Sequence, residues 1–123
     1  MSRFSETLMD HFQSPRNRGR METPDAAGLA GVPGQGRHLA LAVRIVGDQI
    51  VQAKFDANGC GVTIACGSAL TELLIGRTIS ACRELTTADL VEALDGIPSD
   101  RGDCPAFALS ALHSLLQTLN PEN

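Results

Sequence analysis

The chain has 123 residues, with ten Lys+Arg against fourteen Asp+Glu and a formal charge of −4. That length suits one domain spanning residues 1–123 around one hydrophobic core. Mild acidity argues against a dedicated nucleic-acid binder, which needs clustered positive charge, and the longest apolar run, residues 39–43, is far short of a membrane span. With no Trp, no Tyr and only four Phe, the core is expected to be built from Ala, Leu, Ile and Val.

Phe4, Leu8 and Phe12 recur at helical spacing, with Ser2 or Ser5 available as a cap, and Pro15 ends that helix. Residues 1–20 are polar and Arg-rich with no apolar signal region. The expected compartment is therefore a reducing cytoplasm, where cysteines serve as thiols or metal ligands rather than disulfides. Residues 20–37 are rich in Gly and Pro, with a short strand around residues 28–32. His38 to Val46 and Ile50 to Ala57 then read as strands joined by the two-residue turn Gly47-Asp48. In the second strand, alternation puts Ile50, Gln52, Lys54 and Asp56 on one face and Val51, Ala53, Phe55 and Ala57 on the other.

Asn58-Gly59-Cys60-Gly61 turns out of the sheet, and a helical period runs from Ile64 to a stop at Gly76. Thr78 caps a short helix reaching Arg83. Thr86 to Asp89 opens another, which ends at Asp95-Gly96-Ile97-Pro98. Asp103 is placed as the N-cap of a last helix, with Pro105 in its first turn and Asn120-Pro121 as its end. The order is α+β: a small antiparallel sheet packed against several helices.

Four cysteines and three histidines carry the candidate chemistry. Cys60 sits between glycines at a loop tip. Cys104 falls in the first turn of the last helix, where unpaired N–H groups favour a thiolate. They are expected to meet only if the fold brings them together. Cys66 is either a third member of that group or a core residue, and Cys82 reads as core. His11 and His113 lie in amphipathic helices and read as packing or surface residues. His38 follows the glycine-rich loop 33–37, which lacks the pattern of a phosphate cradle.

The stretch Asp10-His11-Phe12-Gln13-Ser14-Pro15-Arg16-Asn17-Arg18-Gly19 resembles the D-H-[YF]-x-x-P-R-N-x-G opening of the NifU N-terminal domain/IscU family of iron–sulfur cluster scaffolds. Asn58-Gly59-Cys60-Gly61, Ser68-Ala69-Leu70-Thr71-Glu72, Ile75-Gly76-Arg77-Thr78 and Asp103-Cys104 extend the similarity from about residue 4 to 119. The resemblance implies an α+β fold with a three-stranded antiparallel sheet. It also implies a site of three cysteines, an Asp and a nearby His that assembles a transient [2Fe–2S] cluster or holds zinc. The implied partners are a cysteine desulfurase, which delivers persulfide sulfur, and the acceptor proteins that receive the cluster. The implied protein is not an enzyme, and works as a monomer or weak homo-oligomer.

This chain departs from the family pattern in three places. The P-x-C-G-D loop reads Pro33-Gly34-Gln35-Gly36-Arg37, so Gln35 and Arg37 replace a thiolate and a carboxylate. Asp103 replaces the His before the last cysteine. The chaperone-recognition stretch L-P-P-V-K reads Ile97-Pro98-Ser99-Asp100-Arg101. The expected ligand set is therefore Cys60, Cys104 and Cys66, with Asp103 or His38 as the fourth, and Arg37 is expected to lower the pKa of the thiols and repel a cation. A scaffold or sulfur carrier is the leading expectation, and a paralogue that keeps the fold, binds no cluster and serves as a binding or regulatory protein is the alternative. The two thiols are also candidates for a Cys60–Cys104 disulfide.

Overall fold

A computed structural model describes residues 4–119, so the proposed cap at Ser2 and the stop at Asn120-Pro121 lie outside the described residues. Helix α1 (Glu6–Gln13) begins where the Ser5 hydroxyl accepts the backbone N–H of Leu8 at 2.9 Å. It buries Leu8 and His11. Three antiparallel strands follow, β1 (Ala26–Gly31), β2 (His38–Val46) and β3 (Gln49–Asn58), in the spatial order β1-β2-β3. The β2–β3 hairpin closes through Gly47, whose φ of +64° suits a two-residue turn.

The even alternation expected along β3 is broken. Arg44 pairs with Gln52 but Ile45 pairs with Ile50, so Val51 is an extra residue on β3 opposite a register shift. Such a bulge moves the following side chains to the opposite face. Ile50 is accordingly fully buried with Ala53, Phe55 and Ala57, whereas Val51 is exposed. The same face of β2 supplies Leu39, Leu41 and Val43.

Helix α2 (Gly61–Leu74) starts three residues earlier than its apolar period suggests, with Cys60 as N-cap. It is buried on nearly all sides. Gly67 lies against the Phe55 ring so closely that a Cβ there would come within 2.5 Å of it. Two short helices, α3 (Ile79–Arg83) and α4 (Thr87–Ala93), follow. α3 is capped by Thr78, and α4 by a reciprocal box in which Thr86 and Asp89 each bond the other's backbone.

A 3₁₀ turn, Ser99–Arg101, leads into α5 (Asp103–Leu119). Asp103 is thus the first helical residue rather than the residue before the helix, because the 3₁₀ turn has already set the chain's direction. α5 packs on β1, where a Cβ on Gly28 would lie 2.3 Å from the Ala111 carbonyl oxygen. Only glycine allows that approach. The aliphatic core expected from composition is present, with Phe55 as its largest fully buried side chain.

Candidate thiol site

The end of β3 and the start of α5 bring Cys60 and Cys104 together, with their sulfurs 4.0 Å apart. The Thr63 hydroxyl lies 3.5 Å from the Cys60 sulfur and 3.6 Å from that of Cys104. Thr63 is three residues after Cys60, in the first turn of α2, so helical geometry places its side chain beside the capping residue. That i, i+3 relation is legible in the sequence, but nothing there marks Thr63 as part of a site, since its hydroxyl is not a metal ligand.

The two thiols differ. Cys60 is exposed and Cys104 is 1% exposed. Burial pushes the Cys60 thiol up, but the Thr63 hydroxyl, the backbone N–H groups of Thr63 and Val62, and the Cys104 thiol outweigh it and leave it below the ordinary cysteine value. This is the expected action of a helix N-terminus on a thiolate. Burial foremost pushes the Cys104 thiol up; Thr63 opposes this, and the neighbouring charges of Cys60 and Asp103 add to the rise.

Cys66 lies one turn further along α2, fully buried. Burial, with smaller contributions from Cys104 and Cys60, pushes its thiol up to about 12, so it stays protonated at neutral pH. Cys82 is buried in α3, as expected, and burial raises its thiol as well. His113 is exposed on α5. His38 pairs with Asn58 at the sheet end and borders a groove of about 550 Å³ shared with Pro33, Ala40 and Asp56.

Arg37 behaves differently from expectation. Its guanidinium donates to the Asp103 carboxylate at 2.8 Å and stacks 3.9 Å from the centre of the Phe107 ring. Its stem crosses Gly59, where a Cβ would lie 3.1 Å from Arg37 Cγ. Arg37 is therefore neutralised by Asp103, and the thiolate character of Cys60 comes from Thr63 and the α2 backbone instead. Asp103 is correspondingly held below the usual carboxylate range, chiefly by Arg37.

Among the described residues, no three His, Cys, Asp or Glu side chains converge as a metal ion would require. Structural zinc and [2Fe–2S] clusters each call for four ligands. This site offers two converging thiols, one buried protonated thiol and a carboxylate already paired with Arg37. A lone chain does not fit a complete four-ligand group.

A sheet-end dithiol, placed by a helix cap on one side and a helix start on the other, belongs to a small α+β fold rather than to a zinc finger or a thioredoxin-type motif. The family model described as NifU-like N terminal domain matches residues 3–120, and the chain belongs to that family. It is 35% identical over 109 residues to iron-sulfur cluster assembly scaffold protein IscU 1 of Archaeoglobus fulgidus, covering 89% of this chain and 71% of that one. Nitrogen fixation protein NifU of Cereibacter sphaeroides is 40% identical over 108 residues, covering 88% of this chain but 44% of the relative. The crystal structure of the N-terminal part of a NifU-like protein from Brucella abortus superposes with a TM-score of 0.75 at 10% identity, covering 97% of this chain and 95% of that one. The three-stranded sheet and its helices are thus the family fold.

Proposed function

We propose that the protein works in iron–sulfur cluster assembly as a non-catalytic, scaffold-type carrier in the cytoplasm, with Cys60 and Cys104 as its working residues. The observation that carries this reading is the 4.0 Å approach of the two sulfurs at the sheet end, in a chain of the scaffold family. Iron and sulfur are cargo here. Cys60, exposed and with a lowered pKa, is the thiol that an incoming persulfide from a cysteine desulfurase would meet first. Thiolates are soft ligands that suit iron, zinc and sulfane sulfur alike, so the same pair serves as half of a ligand set whose remainder comes from outside the chain. Cys66 lies beneath as a reserve thiol, and Asp103 becomes a ligand only if Arg37 releases it.

The test is anaerobic incubation of the reduced protein with a cysteine desulfurase, cysteine and ferrous iron. The expected products are sulfur taken up at Cys60, found as its persulfide or as the sulfide that persulfide yields, and visible absorption from sulfide-bridged iron, both lost in Cys60→Ser. Absence of both products from the unmodified protein would overturn the reading. The paired Arg37 and Asp103 favour a second reading, in which the fold serves as a binding or regulatory protein without cargo. That reading requires Cys60→Ser and Cys104→Ser to leave partner capture and cellular function intact.

A further inference from the structure

We propose that the Cys60–Cys104 pair not only accepts sulfane sulfur but also reduces it, releasing sulfide and closing into a disulfide. This rests on the sulfur-accepting role of Cys60 set out above. A scaffold with one accessible thiol would hold its persulfide until an external reductant arrived. Here a second thiol stands 4.0 Å away, buried against the first and 1% exposed. An external donor therefore reaches Cys60 but not Cys104. The geometry separates an accepting sulfur from a resolving one.

The steps balance without an added oxidant. A persulfide donor R–S–SH, protein-borne or small, transfers its outer sulfur to Cys60; Cys60 becomes Cys60–S–SH and the donor leaves as R–SH. The Cys104 sulfur then attacks Sγ of Cys60, the Sγ–S bond breaks, and the outer sulfur departs with the bonding electron pair. The proton from Cys104 goes to that sulfur, so hydrogen sulfide leaves. The sulfane sulfur gains two electrons, and each cysteine sulfur loses one. Two equivalents of a cellular thiol restore the dithiol by exchange.

Three features of the site suit this chemistry. The sulfurs must close from 4.0 Å to about 2.05 Å to bond, and Cys60, exposed at the N-cap of α2, is the partner whose side chain has room to turn toward the other. Thr63 keeps both sulfurs on one hydroxyl, in place for mutual approach. Asp103, the acidic side chain next to Cys104, is occupied by Arg37, which keeps that carboxylate from competing for the pair.

The experiment uses reduced full-length protein and glutathione persulfide, with excess donor removed and no reductant present. Sulfide is measured by trapping, and the state of each cysteine by mass spectrometry of alkylated peptides. The expected result is release of one sulfide per chain together with a Cys60–Cys104 disulfide. Cys104→Ala, and Cys104→Ser as a second version of the same deletion, should retain persulfide on Cys60 and release sulfide at least about tenfold more slowly. Cys82→Ala, remote from the pair, should behave as the unmodified protein.

A stable Cys60 persulfide in the unmodified protein with Cys104 still free would overturn the inference while leaving the accepting role intact. Unchanged sulfide release from both Cys104 variants would overturn it as well. Failure of every variant, and of the unmodified protein, to take up sulfur would remove the accepting role and this inference together.

Discussion

Residues 10–19 and the loop 33–37 are held in opposite ways. In the first, Ser68 is a buried hub: its hydroxyl accepts the Arg16 backbone N–H at 2.8 Å and lies 2.7 Å from Nδ1 of His11. Asn17 donates to Thr71 and accepts the Phe55 backbone N–H, and Gly19 donates to the Phe55 carbonyl. Arg18 reaches the Ala57 carbonyl. In the second, every residue is exposed, Gly34 and Gly36 have open space where a side chain would go, and the Arg37–Asp103 pair is the anchor. The segment that matches the family pattern is the one the fold depends on. The loop that departs from it carries little structure.

If that contrast is correct, the largest stability loss should come from Ser68→Ala, which leaves the Arg16 N–H and His11 Nδ1 without their shared partner. A cost of about 2–3 kcal/mol is expected, read as a fall of about 10 °C in Tm. Asn17→Ala should cost about 1–2 kcal/mol, since Asn17 both bonds Thr71 and holds a left-handed φ of +60° that Asn tolerates better than Ala. A loss below about 0.5 kcal/mol for both in urea denaturation would break the comparison.

A pH effect follows from the same hub. Burial foremost holds His11 below its ordinary value of 6.5, with Arg16 adding to the shift and Glu72 and Asp10 opposing it. Nδ1 of the neutral ring and the Ser68 hydroxyl share one hydrogen bond of 2.7 Å. Because the unfolded chain takes up the proton more readily, this contribution is complete above the unfolded value. It is lost as pH falls below that value, and the loss levels off once the folded value is passed. The urea midpoint should therefore drop as pH falls through the ordinary histidine value of 6.5, and His11→Gln should flatten that drop. Parallel curves for the two proteins would rule out His11 as the source.

The smallest stability change is expected in the loop. Gln35→Cys with Arg37→Asp should alter stability by less than about 1 kcal/mol, the range of an exposed ion pair. The same change should raise bound zinc toward one per chain by elemental analysis, since it adds a thiol and a carboxylate and frees Asp103. Large destabilisation with no gain of metal would show that the loop does structural work after all.

Much of this was legible in the sequence. Gly47-Asp48, the Thr86–Asp89 cap and the stop at Gly76 are local signals, and local signals survive folding. Cys60 and Cys104 stood out because each sits at an element end. What escaped depends on contacts between distant segments. The bulge at Val51 is set by pairing with Arg44 and Ile45, and the need for glycine at position 28 is set by α5. The partnership of Arg37 with Asp103 spans 66 residues, and no spacing rule announces it. Cys66 shows the limit most clearly: its position in the first turns of α2 was readable, but whether its thiol could ionise depended on burial that only the packed helix supplies.

The separation of Cys60 from Cys104 has a mechanical consequence. The two sulfurs are 44 residues apart in sequence, and the chain between them contains all of α2, α3 and α4. A bond between them would fasten those helices into a closed ring and restrict the unfolded chain by about 4 kcal/mol. The oxidised protein should therefore melt well above the reduced one. An ordinary thermal melt would then report whether the pair has fired, in a molecule that has no tryptophan or tyrosine to report it.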